Sequence, residues 1–349
     1  MARRGLAIGK FISMEQIDIY GIGNPLIDIV VEAEDADLEI LELDKGIMRL
    51  VDLEERGKIL ENIKKRRIGY SCGGSAPNTL IFLSALGIKS ALAGKIGKDE
   101  YGGRYSENLP DKNMVSQLIV GEGATGSSII LVTPDSERTM NTYLGANREF
   151  SLEDVDLTVV EKAEYLYFTG YMWDTDLQKN AVLKALESFR ERKRTIVFDL
   201  ADPFAVNRNL DVFGSLIEKN ADIVFANREE GKLLFGTDTA EDAVNELSKI
   251  CNLAIVKDGA SGSLVKRNGG KTERIPARAV KAIDTTGAGD MYAAGFLYGL
   301  IRGLDDREAG ICGSYLASRI VETWGAQFEP DMRRKVAGEV CDGTWRFTL

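Results

Sequence analysis

The sequence predicts an α/β fold in three layers: a doubly wound, mostly parallel sheet covered by helices on both faces, with a small β-sheet lid. Three observations carry this. After residue 163, apolar strand-like runs alternate with amphipathic helical segments, as in parallel strands joined by helical crossovers. Between residues 114 and 144, strand follows strand, which that alternation cannot absorb. Glycines and polar residues cluster where several strands end, and ligands of open parallel sheets sit beyond those ends.

The elements follow in order. Residues 1–13 are basic and broken by glycine; they read as a disordered extension before a single domain over 14–349. "IDIYGIG" (17–23) reads as a buried strand, and "IVVEAE" and "IMRLV" as short strands. "LEERGKILENIKKR" has the period of an amphipathic helix, and "APNTLIFLSALG" is a helix closed by Gly87. "SALAGKIG" is a strand. "VSQLIV", "TGSSIILVT" and "RTMNTYL" are strands of the lid, whose segments are expected near 26–51 and 114–145. The strands "EYLYFTG", "TIVFDL", "DIVFAN" and "LAIVKDG" then alternate with helices. "GSLVKR" and "KTERIPA" form a hairpin around Asn268-Gly269-Gly270, and helices cover 288–302 and 305–322. The last twenty-five residues read as either strand or tail.

Composition excludes several functions. The net charge of -10 argues against nucleic acid or an anionic membrane as partner, since both need a basic footprint. No run of 18 apolar residues predicts a membrane span. The scattered cysteines Cys72, Cys251, Cys312 and Cys341 point to free thiols in a reducing, cytoplasmic compartment. With no histidine, any general base is mainly a matter of carboxylates.

"DTTGAGD" (284–290) opens a helix. A helix N-terminus presents unpaired N–H groups and partial positive charge. Gly287, Ala288 and Gly289 leave room for those groups to converge on an anion. Asp290, in the first turn, is placed to take a proton from a hydroxyl attacking a phosphoryl group. An ordinary capped turn is the alternative. Other strand ends carry Asn24 and Asp28, Gly73 and Gly74, Asn227 and Glu230, and Asp258-Gly259. Asn227 and Glu230 also fit a capping box, and Gly73-Gly74 a flexible turn. "GEGATG" (121–126) matches G-x-G-x-x-G but has no helix after it, so it reads as a hairpin turn rather than a dinucleotide site.

"DTTGAGDMYAAGFLYG" resembles the C-terminal signature of the PfkB, or ribokinase-like, family of carbohydrate and nucleoside kinases. "GGSAPNTLIFLSALGIKSALAGKIGKDEYG" resembles its N-terminal signature, "NREE" its N-x-x-E motif and "VKDGASGS" its nucleotide-site turn. The resemblance covers about residues 17–325. It implies a ribokinase-like fold and ATP-dependent phosphorylation of a small-molecule acceptor. Asp290 would be the base, and Gly287, Ala288 and Gly289 the anion hole. Asn227, Gly259 and Gly262 would line the ATP site. Asn227 and Glu230 would organise Mg²⁺, partly through water, and Asp284 and Thr286 a monovalent cation such as K⁺. Arg138 would meet the transferring phosphate. Asn24, Asp28, Gly73, Gly74 and Asn78 would bind the acceptor.

"GIGNPLIDIV" resembles the first-strand motif of adenosine kinases more than that of sugar kinases. Asp28 can accept hydrogen bonds from a vicinal diol such as that of ribose. Tyr171, with Met172 and Trp173, is available to stack on a purine or to close the core. Adenosine is therefore the expected acceptor. The alternatives are a free sugar or keto-deoxy sugar acid, or a catalytically inactive nucleoside sensor. A monomer and a homodimer both fit.

Overall fold

The computed structural model describes residues 16–347 except 65, 67, 110, 111 and 136; the expected extension over 1–13 lies outside the described residues. The strands are β1 (Ile17–Ile22), β2 (Leu26–Glu32), β3 (Met48–Leu50), β4 (Ile68–Gly73), β5 (Ser90–Gly97), β6 (Met114–Gly121), β7 (Gly126–Val132), β8 (Arg138–Tyr143), β9 (Ala163–Thr169), β10 (Thr195–Asp199), β11 (Ile223–Asn227), β12 (Leu253–Lys257), β13 (Ser263–Arg267) and β14 (Thr272–Ile275). The helices are α1 (Asp35–Ile40), α2 (Leu53–Ile63), α3 (Ser75–Ala85), α4 (Glu100–Asn108), α5 (Leu157–Val160), α6 (Asp176–Glu191), α7 (Pro203–Arg208), α8 (Leu210–Asn220), α9 (Arg228–Phe235), α10 (Ala240–Ile250), α11 (Ala288–Ile301), α12 (Asp306–Ile320) and α13 (Pro330–Cys341).

The large sheet has nine strands in the order β14-β13-β12-β11-β10-β9-β1-β5-β6. Pairing is parallel from β6 to β12, and β13 and β14 return antiparallel. Helices cover both faces, so strands such as "IVFAN" are apolar without alternation. Successive side chains of β1 serve opposite cores. Ile19 joins a cluster shared with α3, α11, α12 and α13, while Tyr20 and Ile22 join one shared with α6, α8 and α10.

The small sheet has five strands in the order β3-β8-β7-β2-β4. Ile27, Ile29, Val31, Ile129 and Leu131 point to one face and share a buried cluster with Leu38 of α1 and Ile59 and Ile63 of α2. The opposite face presents Leu26, Asp28, Met48, Leu50, Ser128, Met140 and Thr142 to a cavity. The same two-residue period thus builds a covered outer face and a lining inner one.

Four expectations are corrected. Residues 114–121 do not belong to the lid: β6 pairs parallel with β5 at the margin of the large sheet. An edge strand has one neighbour and is half-covered, so its alternation mimics that of a lid strand. "GEGATG" is not a hairpin turn, because its flanking strands lie in different sheets; it carries the chain from one to the other. The lid also takes β4, which "IGYSCG" does not signal because its glycines break the pattern. The C-terminal segment is neither strand nor loose tail: α13 is followed by a 3-10 turn, Thr344–Phe347, whose Trp345 is buried. Among the described residues, no helix is long and apolar enough to cross a membrane.

Candidate active site

The parallel strands end at one edge, where α3 and α11 also begin. Gly287 caps α11 with φ 76°, a left-handed conformation that favours glycine, and a Cβ there would lie 2.7 Å from Ala326 Cα. The first turn therefore opens close against the chain near Ala326. Ala288 N–H is used within the turn, donating to Thr285 O at 3.2 Å. Gly289 and Asp290, as first-turn residues, have no intrahelical acceptor for theirs.

Asp290 is held by α3. Ser75 and Asn78, three residues apart, share one face of that helix. Ser75 Oγ donates to Asp290 Oδ1 at 2.6 Å and Asn78 Nδ2 to Oδ2 at 2.8 Å. Thr79 Oγ1 donates to the Asp290 carbonyl at 3.2 Å. Burial pushes the Asp290 carboxyl up, the bonds from Ser75 and Asn78 oppose this, and the outcome is about 6.

A cavity of about 260 Å³ opens between this edge and the lid. Asn24 and Asp28 lie in its wall, both buried. Gln178 Nε2 donates to Asn24 Oδ1 at 2.8 Å, and Asn24 Nδ2 has no partner. The Asp28 carboxylate packs on Gly73, where a Cβ would fall 2.3 Å from Oδ2. Burial, with Asp290 adding to it, pushes Asp28 up to about 7. Gly74, with φ 101°, turns the chain from β4 into α3 and lines the cavity. The wall is mostly apolar by area, with Leu26, Met48, Leu50, Met140, Leu144 and Phe204, but it also carries Ser128, Thr142, Asp174, Arg208 and Asn209. Tyr171 also faces the cavity. Met172 and Trp173 do not; they are buried in the core, where Trp173 meets Phe213 edge-on at 6.2 Å, so neither is available to stack on a ligand.

Asn227 and Glu230 form a reciprocal capping box on α9: Asn227 Oδ1 accepts from Glu230 N, and Glu230 Oε2 from Asn227 N, each at 2.8 Å. Glu230 is fully buried, which pushes it up to about 8 despite Lys257 nearby. Lys257, ending β12, places Nζ 3.4 Å from both Asp199 oxygens. A Cβ on Gly289 would lie 3.3 Å from that Nζ, so the ammonium adjoins the first turn of α11. Burial opposes its charge, but Asp199, Glu230 and Asp290 together raise Lys257 above its usual range. Gly259 and Gly262 bound the turn between β12 and β13, with φ 54° and 93°. Among the described residues no three carboxylates converge as a metal cage. Asn227 Nδ2 also donates to Glu230 Oε1 at 2.6 Å, so all three side-chain oxygens of the pair are used inside the box and a Mg²⁺ ion here would be met mainly through waters and phosphates.

Arg138 projects from lid strand β8 onto the loop before α11. It donates to Thr286 Oγ1 at 2.6 Å, pairs with the Asp284 carboxylate and lies over the Trp324 ring at 5.7 Å. Asp284 also accepts from Thr286 N at 2.8 Å and Gly325 N at 2.7 Å. The two side chains expected beside a monovalent cation are thus already engaged by a guanidinium.

Sequence reasoning did not single out Ser75, Asp199, Lys257 or Gln327. Asp199 and Lys257 carried a usable signal, since each is the charged last residue of a buried strand at the ligand edge. Ser75 and Gln327 carried none.

A glycine-opened helix N-terminus and a buried carboxylate beside it thus face a cavity under the lid. The chain belongs to the pfkB family of carbohydrate kinases, whose model matches residues 41–332, and is therefore an ATP-dependent phosphotransferase. It is 30% identical over 261 residues to the 5-dehydro-2-deoxygluconokinase of Bacillus subtilis, covering 71% of this chain and 80% of that protein. The structure of a "probable sugar kinase protein" from Rhizobium etli matches with TM-score 0.86 and 32% identity, over 94% of this chain and 99% of that one. The adenosine kinase of Sinorhizobium meliloti matches with TM-score 0.85 and 33% identity, over 93% and 99%.

Proposed function

We propose that the protein phosphorylates the 5′-hydroxyl of a purine nucleoside, adenosine first, at the expense of ATP. One observation carries the choice of acceptor: Asp28 and the unpartnered Asn24 amide share a cavity whose wall is mostly apolar by area. A nucleoside has that division, with a ribose diol for Asp28 and Asn24 and a flat, weakly polar base for Met48, Leu50, Met140 and Phe204. A free sugar is polar all round and would leave the apolar stretch of Met48, Leu50, Met140 and Phe204 unmatched. The names of relatives support a free sugar as second reading.

Asp290 takes the proton of the 5′-hydroxyl. The oxygen attacks the γ-phosphorus in line, the bond to the β–γ bridging oxygen breaks, and ADP leaves. Gly289 and Asp290 N–H groups, Lys257 and Arg138 receive the charge on the phosphoryl oxygens. Mainly through waters, Asn227 and Glu230 would hold Mg²⁺, which supplies charge neutralisation to the phosphates when bound. Asn227, Gly259 and Gly262 line the ATP side. The lid limits water entry.

The test is ADP release from Mg-ATP with adenosine, inosine, guanosine, cytidine, ribose and fructose. Efficient turnover of adenosine with the sugars inert is the expected result. Turnover of a sugar alone would move the acceptor reading to the second one. Nucleoside binding without any turnover would make the protein a sensor.

A further inference from the structure

Asn78 is an amide, and the two ends of an amide are alike in shape and opposite in function. Whichever end faces Asp290 decides what that carboxyl experiences. An N–H supports the carboxylate, and a carbonyl supports the protonated acid. Asn78 is buried in the cavity wall, and both ends of its amide are bonded to protein groups. Its orientation must come from its other neighbour.

That neighbour is Gln327, whose Nε2 donates to Asn78 Oδ1 at 2.9 Å. Gln327 is an amide too, so the question passes on. Its Oε1 accepts from an Arg333 Nη at 3.4 Å, and Arg333 also donates to the Phe328 carbonyl at 3.3 Å. A guanidinium has donors only and keeps its proton in proteins. The direction of the chain is therefore set at Arg333. Gln327 must turn its carbonyl to Arg333 and its amine to Asn78. Asn78 must then turn its carbonyl to Gln327 and its amine to Asp290.

We propose that Gln327, oriented by Arg333 on α13, is a positioning residue: it keeps the Asn78 N–H, not the carbonyl, on the Asp290 carboxylate. The C-terminal helix thereby acts on the base through two amides without touching substrate. The functional meaning rests on Asp290 being the base. The hydrogen-bond polarity itself does not.

The charged and titratable groups around Asp290 are Asp28 on β2, Asp199 on β10, Lys257 on β12, Tyr167 on β9 and Tyr171 just after it. None is altered by changing Gln327 or Arg333. The experiment is a carboxyl ¹³C NMR titration of the ligand-free protein with labelled aspartate, Asp290→Asn identifying the resonance. Gln327→Leu should raise the Asp290 midpoint by about one pH unit, leaving about tenfold less carboxylate below it. Arg333→Met should raise it in the same direction at high salt, where a distant charge is screened. Arg333→Met should add nothing once Gln327 is Leu, because the effect runs through that side chain. An unchanged midpoint in Gln327→Leu overturns the proposal, as does full additivity of the two changes. Should Gln327→Leu not fold, Arg333→Met alone decides by the same criterion. A purely structural role would lower the thermal midpoint and leave the titration where it was. Separately, if Asp290→Asn still turned over, the base would be lost while the polarity result stood.

Discussion

Arg138 Nη1 donates to Thr286 Oγ1 at 2.6 Å, tying lid strand β8 to the loop that feeds the first turn of α11. The same guanidinium pairs with Asp284, whose side chain is fully buried. Arg138→Ala should do two things. It leaves a buried carboxylate without its cation, a loss of about 3 kcal/mol read from denaturant unfolding. It should also lower kcat more than it raises the acceptor KM, because a charge on the transferring group is removed. Unchanged stability together with unchanged kcat would contradict both halves.

Asp290→Asn should reduce kcat by about 10²–10⁴-fold while nucleoside binding by calorimetry persists. It should also stabilise the fold in alkali. The folded carboxyl titrates near 6, above the ordinary value of about 4. Between those values the unfolded chain ionises first, so the penalty for burying this group grows from roughly pH 4 and is complete above about 6. The variant's gain in thermal midpoint should thus be small at low pH and full at pH 8. A gain that is equal at both would remove the explanation.

The pH profile follows from the same groups. A base must be ionised, so kcat/KM should rise through about 6, where Asp290 loses its proton. Asp28, titrating near 7, adds a second step on the acceptor side. In Asp28→Asn the upper step should vanish, acceptor KM should rise about tenfold or more, and ATP KM should hold. Loss of ATP affinity instead would place Asp28 on the wrong side of the cavity.

Lys257→Met should lower kcat by about 10–10²-fold, since a fixed cation beside the Gly289 turn is removed. Glu230, which the ammonium holds down, should bind its proton more tightly without it. Steady-state kinetics with Lys257→Arg as the conservative partner would check this. If Met and Arg both behave as wild type, the ammonium plays no part in transfer.

Much of the site was legible because its chemistry is local. A glycine turn before a helix needs only three consecutive residues, and Asp290 in that turn follows from helix geometry alone. Asn24, Asn227 and Gly259 were legible because residues at strand ends of a parallel sheet share an edge whatever the loops do; Asp28, expected at such an end, instead lies within lid strand β2 and reaches the cavity from the lid's inner face. Tyr171, Met172 and Trp173 mark where this fails. They are consecutive and chemically alike, yet one faces the cavity and two are core. A short 3-10 turn after β9 sends neighbouring side chains in different directions.

The sequence by itself determined the layered α/β class, the glycine-opened helix and the carboxylate at its mouth, because periodicity and turn chemistry act over a few residues. Only the tertiary structure decided that residues 114–121 join the large sheet, that Arg138 reaches Asp284, and that Gln327 stands behind Asn78. A two- or 3.6-residue period reports which face of an element is covered, but not what covers it. Arg138 to Thr286 spans 148 positions and Asn78 to Gln327 spans 249. Contacts at that separation depend on how the sheets and helices pack, which no short stretch of chain encodes.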